Sequence, residues 1–133
     1  DTVFSTAGTL LSVGTAQLSN TVFNAARLAL TGAATTHSIE TIRFENMNPT
    51  GTFLSIDRNA GLTTTVNNAT FATTPTTPGL YLSVRQLTEG AAATVILPIG
   101  VTPTSPADRY LNLTNVTTRP IIVWNGVTLP LLP

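Results

Sequence analysis

The chain has 133 residues, with six Arg, no Lys, six carboxylates, one His and no Cys, a net charge of zero and a hydrophobic fraction of 42%. A positive mean hydropathy of +0.27 with so little charge excludes a disordered chain. The missing Cys excludes a disulfide scaffold, and neutrality removes the electrostatic attraction that dominates nucleic-acid binding.

Thr is the most informative residue: there are 27, alongside nine Pro and nine Gly spread from end to end. β-branched residues fit the pleated surface of a sheet, and scattered Pro and Gly cut long elements into short ones. No internal repeat, charge block or linker is visible, so residues 1–133 read as a single all-β domain. Residues 9–13 form a first short strand. Residues 21–30 are read as strand, although Leu18, Val22, Ala26 and Leu30 also recur at helical spacing. In residues 38–46, Ile42 and Phe44 alternate with Thr41, Arg43 and Glu45, which predicts one buried and one wet face. Asn48-Pro49-Thr50-Gly51 reads as a turn that returns the chain through residues 53–56, making a hairpin.

Asp57-Arg58-Asn59-Ala60-Gly61 is a second turn, followed by a Thr-rich strand at 62–71 and a Pro-punctuated connection at 73–79. Leu80, Leu82 and Val84 alternate with Tyr81, Ser83 and Arg85. Thr88-Glu89-Gly90 then leads into residues 93–99 as a second hairpin. Pro103 and Pro106 mark a loop before a strand at 109–116. Residues 120–124 and 127–132 flank Asn125-Gly126, the strongest two-residue hairpin signal. Eight to ten short strands of this kind predict two packed antiparallel sheets, a jelly-roll-like sandwich, with an immunoglobulin-like sandwich as the alternative.

The chemistry-bearing residues are few. With one His and no Cys, a structural zinc site is excluded, and His37 is read as a strand-end histidine hydrogen-bonded to its neighbours. Residues 57–61 imitate the start of a calcium loop, but the Gly comes one position early and Asn68 stands where the twelfth-position Glu belongs. Glu40, Glu45, Asp57, Glu89 and Asp108 offer no selected pair for glycosidase chemistry, and Glu40 and Glu45 have opposite strand parity. No phosphate loop and no G-x-S-x-G is present, so neither an enzyme nor a cofactor is expected. Three N-glycosylation patterns, at Asn68, Asn112 and Asn115, are about what ten Asn in a Thr-rich chain produce by chance. Tyr81, Tyr110 and Trp124 would be the rings of a sugar-stacking platform if the domain were a carbohydrate-binding module.

Charged residues make up 9% of the chain, against about a quarter in ordinary soluble domains. A monomer of this mass exposes roughly 6,700 Å², so its surface is thinly defended against association. Both ends are apolar, and residues 1–8 and 127–133 read as arms. Val3, Phe4, Trp124, Leu129, Leu131 and Leu132 are therefore the expected assembly contacts, with Pro130 and Pro133 keeping the tail at an edge. Asp1 is a poor initiating residue and suggests cleavage of a signal peptide or maturation of a viral protein. No apolar run is long enough to span a bilayer.

These properties predict a structural subunit that contacts copies of itself and a major capsid or lattice protein, without nucleic acid. The leading expectation is a virion-surface decoration, cement or coat protein; the alternative is an extracellular filament subunit that exchanges strands. In composition the chain is similar to phage cement proteins, a likeness of class that no motif carries.

Overall fold

The computed structural model describes residues 2–5, 8–12, 17–31, 37–76, 79–97, 111–114, 118–124 and 127–128. Fifteen short strands and no helix are assigned among them. The first turn of chain contains β1 (Thr2–Phe4), β2 (Gly8–Ser12) and β3 (Gln17–Leu18), and the second β4 (Thr21–Asn24), β5 (Ala26–Leu30) and β6 (Ser38–Ile39). A third holds β7 (Ile42–Glu45), β8 (Thr52–Arg58) and β9 (Thr63–Val66); a fourth holds β10 (Ala69–Phe71), β11 (Leu80–Gln86) and β12 (Thr94–Leu97). After these come β13 (Leu111–Thr114), β14 (Ile121–Trp124) and β15 (Val127–Thr128).

Successive strands enter different sheets. The first sheet runs β1-β4-β7-β10, the second β13-β11-β8-β5-β2, and the third β15-β14-β12-β9-β6-β3. Every pairing is parallel except β14 with β15. The chain is therefore a three-sided parallel solenoid in which each strand lies beside its counterpart one turn away. This overturns the expected antiparallel jelly-roll-like sandwich and its immunoglobulin-like alternative.

The reason lies in the turns. Residues 48–51 and 88–90 do interrupt extended chain, but each redirects it into the neighbouring sheet instead of folding it back on the strand just left; of the turn expected at 57–61, Asp57 and Arg58 still belong to β8, and the chain turns into the third sheet only after them. The predicted strands at 21–30, 38–46 and 62–71 are extended, yet each is two strands joined across a corner. At 21–30 the corner is one residue, Ala25, with φ 67°. Among the described residues the hairpin expectation holds at β14 and β15 alone: Val123 pairs antiparallel with Thr128, and Trp124 with Val127.

In-register stacking puts like residues into columns. Phe4, Phe23, Phe44 and Phe71 occupy one register of the first sheet. Their rings stack at 5.4, 5.1 and 5.3 Å between centroids. Leu28, Leu54 and Leu82 form the matching buried column of the second sheet, with Leu30, Ile56 and Val84 beside it. The third sheet contributes Ile39 and Val66, and Val95 between Thr64 and Ile122. Phe53 and Tyr81 precede Leu54 and Leu82 and break the alternation. Both are buried, and Tyr81 meets Phe53 and Phe71 edge-on.

The corners are tied between turns as well. The Gly61 N–H donates to the Ala91 carbonyl at 2.9 Å, and the Thr76 N–H to that of Pro49 at 2.8 Å. Gly61 has φ +73°, a conformation that side-chain-bearing residues adopt at a cost. Gly79 packs so closely on the Pro49 carbonyl that a Cβ has no room.

The Phe column sets the first expected outcome. Phe44→Ala leaves a hole between two stacked rings and should cost about 3–5 kcal/mol in chemical denaturation. Ala25→Gly should raise stability by about 0.5–1 kcal/mol, because relief of the left-handed conformation exceeds the added backbone entropy; an unchanged or lower midpoint would refute the reading of that corner.

Candidate assembly surface

Alternation along each strand divides the side chains into those filling the solenoid and those on its outside. On the first sheet the outward register is Val3, Val22, Arg43 and Thr70. Arg43 donates through Nε to Glu45 at 3.0 Å on the same face. On the second sheet the outward residues include Arg27, Ser55, Asp57, Ser83 and Arg85. Asp57 and Arg85 are register partners, and Arg85 reaches both carboxylate oxygens, Nη2 to Oδ2 at 2.7 Å and Nε to Oδ1 at 3.3 Å. Hydrogen bonding to Asp57, reinforced by its charge, raises the Arg85 pKa above the ordinary guanidinium value.

Other charges occupy corners. Glu40 accepts a hydrogen bond from Asn67 at 2.9 Å, and Glu89 and Arg119 are exposed in connecting segments. Arg58 lies inside the solenoid beside Gln86 in register. It donates to the Thr63 carbonyl at 3.3 Å, and burial lowers its pKa. Gln86 is fully engaged, accepting from the Ala93 N–H at 2.9 Å and donating to the Thr88 carbonyl at 3.0 Å.

The third sheet differs from both others. Its inward residues are Thr64, Val66, Val95, Leu97 and Ile122, which places Thr63, Thr65, Thr94, Ile96, Ile121 and Val123 outside. None of these six is ionisable. Ile121 is 43% exposed, one of three large apolar side chains so open among the described residues. The outer face of β9, β12 and β14 is thus an uncharged surface of β-branched residues on a molecule whose other two faces carry ions.

Of the expected contact residues, the described ones are divided between two sheets. Val3 is 57% exposed on the first sheet, on the rim of a shallow 320 Å³ hollow shared with Asn20, Val22 and Arg43. Phe4, on the same strand, points inward as the half-buried end of the Phe column. Trp124 is on the third sheet, its backbone between Leu97 and Val127. Leu129, Leu131, Leu132, Pro130 and Pro133 fall outside the described residues, as do Tyr110, Asp108 and Asp1. Tyr81 is a core residue and unavailable to a sugar platform. His37 immediately precedes β6 and is buried. No group of three or more metal-ligating side chains occurs among the described residues, nor does any described helix have the length and apolarity to cross a membrane.

Sequence reasoning missed the third-sheet face because its segments, Thr63-Thr64-Thr65, Thr94-Val95-Ile96 and Ile121-Ile122-Val123, show no polarity alternation. The available signal was the absence of charge from three β-branched triplets, in a chain where β5, β7, β8 and β11 carry Arg27, Arg43, Glu45, Asp57, Arg58 and Arg85.

No protein-family model, curated protein or solved structure matches this chain.

The Asp57–Arg85 pair stands on a wet face and contributes little to folding. Arg85→Ala should lower stability by less than about 1 kcal/mol, with the difference shrinking further in high salt; a larger, salt-independent loss in denaturant titrations would show the arginine to be a packing residue.

Proposed function

We propose that the protein is a non-enzymatic structural subunit of a large symmetric assembly, in the setting of a virion surface, where it decorates or cements a capsid shell through contacts with copies of itself and a major lattice protein. The observation that carries this reading is the charge-free outer face of the third sheet. Placed on a molecule with 9% charged residues, it is a surface that gains by being covered. Neutrality suits a subunit that stays away from the genome.

The engaged carboxylates also favour a structural role. Glu40 holds Asn67, Glu45 holds Arg43 and Asp57 holds Arg85. They lie at a corner, on the first sheet and on the second, so they do not converge as general acid–base chemistry requires. The strand-exchange filament receives less support, because β1 pairs with the chain's own β4 and Phe4 stacks on Phe23.

The test is made on the native source. Particles purified by density gradient should contain the chain at a fixed stoichiometry to the shell protein, and stripping it should lower the temperature at which the shell opens. Recovery of the chain only in the particle-free fraction, with no rebinding to stripped shells, would refute the virion reading.

A further inference from the structure

We propose that His37 is an acid-sensitive latch of the fold: when its imidazole takes up a proton, a second positive charge enters the interior corner that already holds the Arg58 guanidinium, and the ladder joining β6 to β9 gives way. The device is independent of the assembly reading above.

The placement follows from register. β6 pairs with β9 at Ser38 with Thr65 and at Ile39 with Val66. His37 directly precedes Ser38, so it enters the third sheet opposite Thr64, with the inward parity of Ile39, Thr64 and Val66. All four are buried, His37 at 4% exposure. Arg58, 1% exposed, comes over the corner from the second sheet and donates to the Thr63 carbonyl, on the peptide that leads into Thr64. The chain's single histidine and a buried arginine thus approach the same stretch of β9.

Among the described residues, the groups around the imidazole carry no negative charge. From β9 comes the fully buried Thr64, from β8 the Arg58 guanidinium, and from β11 the Gln86 amide, in register with Arg58 and engaged with Ala93 and Thr88. On the other side β3 pairs Gln17 with Ser38, and residues 13–16 and 32–36 contain nothing ionisable. The described carboxylates are elsewhere: Glu40 is exposed and holds Asn67, Glu45 holds Arg43, Asp57 holds Arg85, and Glu89 is exposed after β11. A neutral imidazole is tolerated in such a place. An imidazolium is not, because burial strips its hydration and Arg58 repels it. The ladder that bears the strain is thin: β6 is held by two residue pairs on each side, β12 by three and four. An unfolded histidine titrates near about pH 6.5. Stability is therefore full above that value and falls as the pH drops below it, since the unfolded chain takes up a proton that the folded chain resists.

Urea denaturation of the full chain should show a midpoint that falls between about pH 7.5 and about pH 5.5, a window that lies above the ordinary carboxylate range. In His37→Gln, a neutral polar replacement, the fall should be less than about half as large, and Arg58→Met, which removes the repelling charge, should shrink it as well. Hydrogen exchange on the wild-type chain locates the opening. The Glu40 and Asn67 amides, which bond to the Leu18 and Ile39 carbonyls on either side of β6, should lose protection by at least about tenfold at the lower pH after correction for the intrinsic rate. The Thr94 and Ile121 amides, which make the corresponding bonds to Leu62 and Ala93 in later turns, should keep theirs. Circular dichroism at the higher pH establishes that each variant folds, and exchange on the wild-type chain decides alone where one does not. A wild-type midpoint that does not fall, or one that falls as far in either folded variant, overturns the proposal. So does an equal loss of protection at all four amides.

Discussion

Parallel in-register stacking is the constraint on which everything else depends. Once each strand hydrogen-bonds to its counterpart one turn away, every inward position repeats directly above itself, and a residue acceptable in one turn must be acceptable in the next. Phe23, Phe44 and Phe71 satisfy this on the first sheet, and Leu28, Leu54 and Leu82 on the second. A stacked ring loses little by meeting another ring at about 5 Å, whereas a ring above a small residue would leave a void. The outward positions escape this demand and can differ from face to face, which is how, among the described residues, two sides carry ions and the third carries none.

The same constraint explains what could be read from the sequence. Strand character was legible because Thr, Val and Ile avoid helix and because Gly and Pro punctuate the chain; the ambiguous segment at 21–30 is indeed extended. Partnering was not legible. Asn48-Pro49-Thr50-Gly51 has the chemistry of a reversing turn, yet β7 and β8 lie in different sheets, since a corner of a solenoid and the loop of a hairpin use the same residues. The repeat itself was hidden by unequal corners. Successive Phe positions are 19, 21 and 27 residues apart, and the longest interval contains the connection at 46–51 where the one before it has Ala25 alone. A search for fixed spacing fails on such a chain, although the aligned Phe and Leu positions are regular in space.

Sparse charge predicts association from composition alone, and the apolar ends of the chain put the expected contacts at Val3, Phe4, Trp124, Leu129, Leu131 and Leu132; of these, Val3 is open on the first sheet. In the fold, Phe4 is the half-buried end of the Phe column and packs against the core. The face without charge comes from three segments separated by about thirty residues each, which only parallel register brings together.

A surface of this kind carries a hazard as well as a use, because uncharged β-branched faces are also aggregation templates. The solenoid handles this by what it exposes. The hydrogen-bonding groups of β9 and β12 are paired on both sides, to β6 and β12 and to β9 and β14, so a neighbour can meet only their side chains and not their backbone. Side-chain packing of a small flat area is weak and reversible, while edge pairing propagates. On the third sheet β15 further covers β14 with an antiparallel strand, which changes strand direction at that end and spoils it as a template for another parallel turn. At β9 and β12, where the backbone groups are already paired, a neighbour is limited to side-chain contact, which favours reversible association over strand addition there.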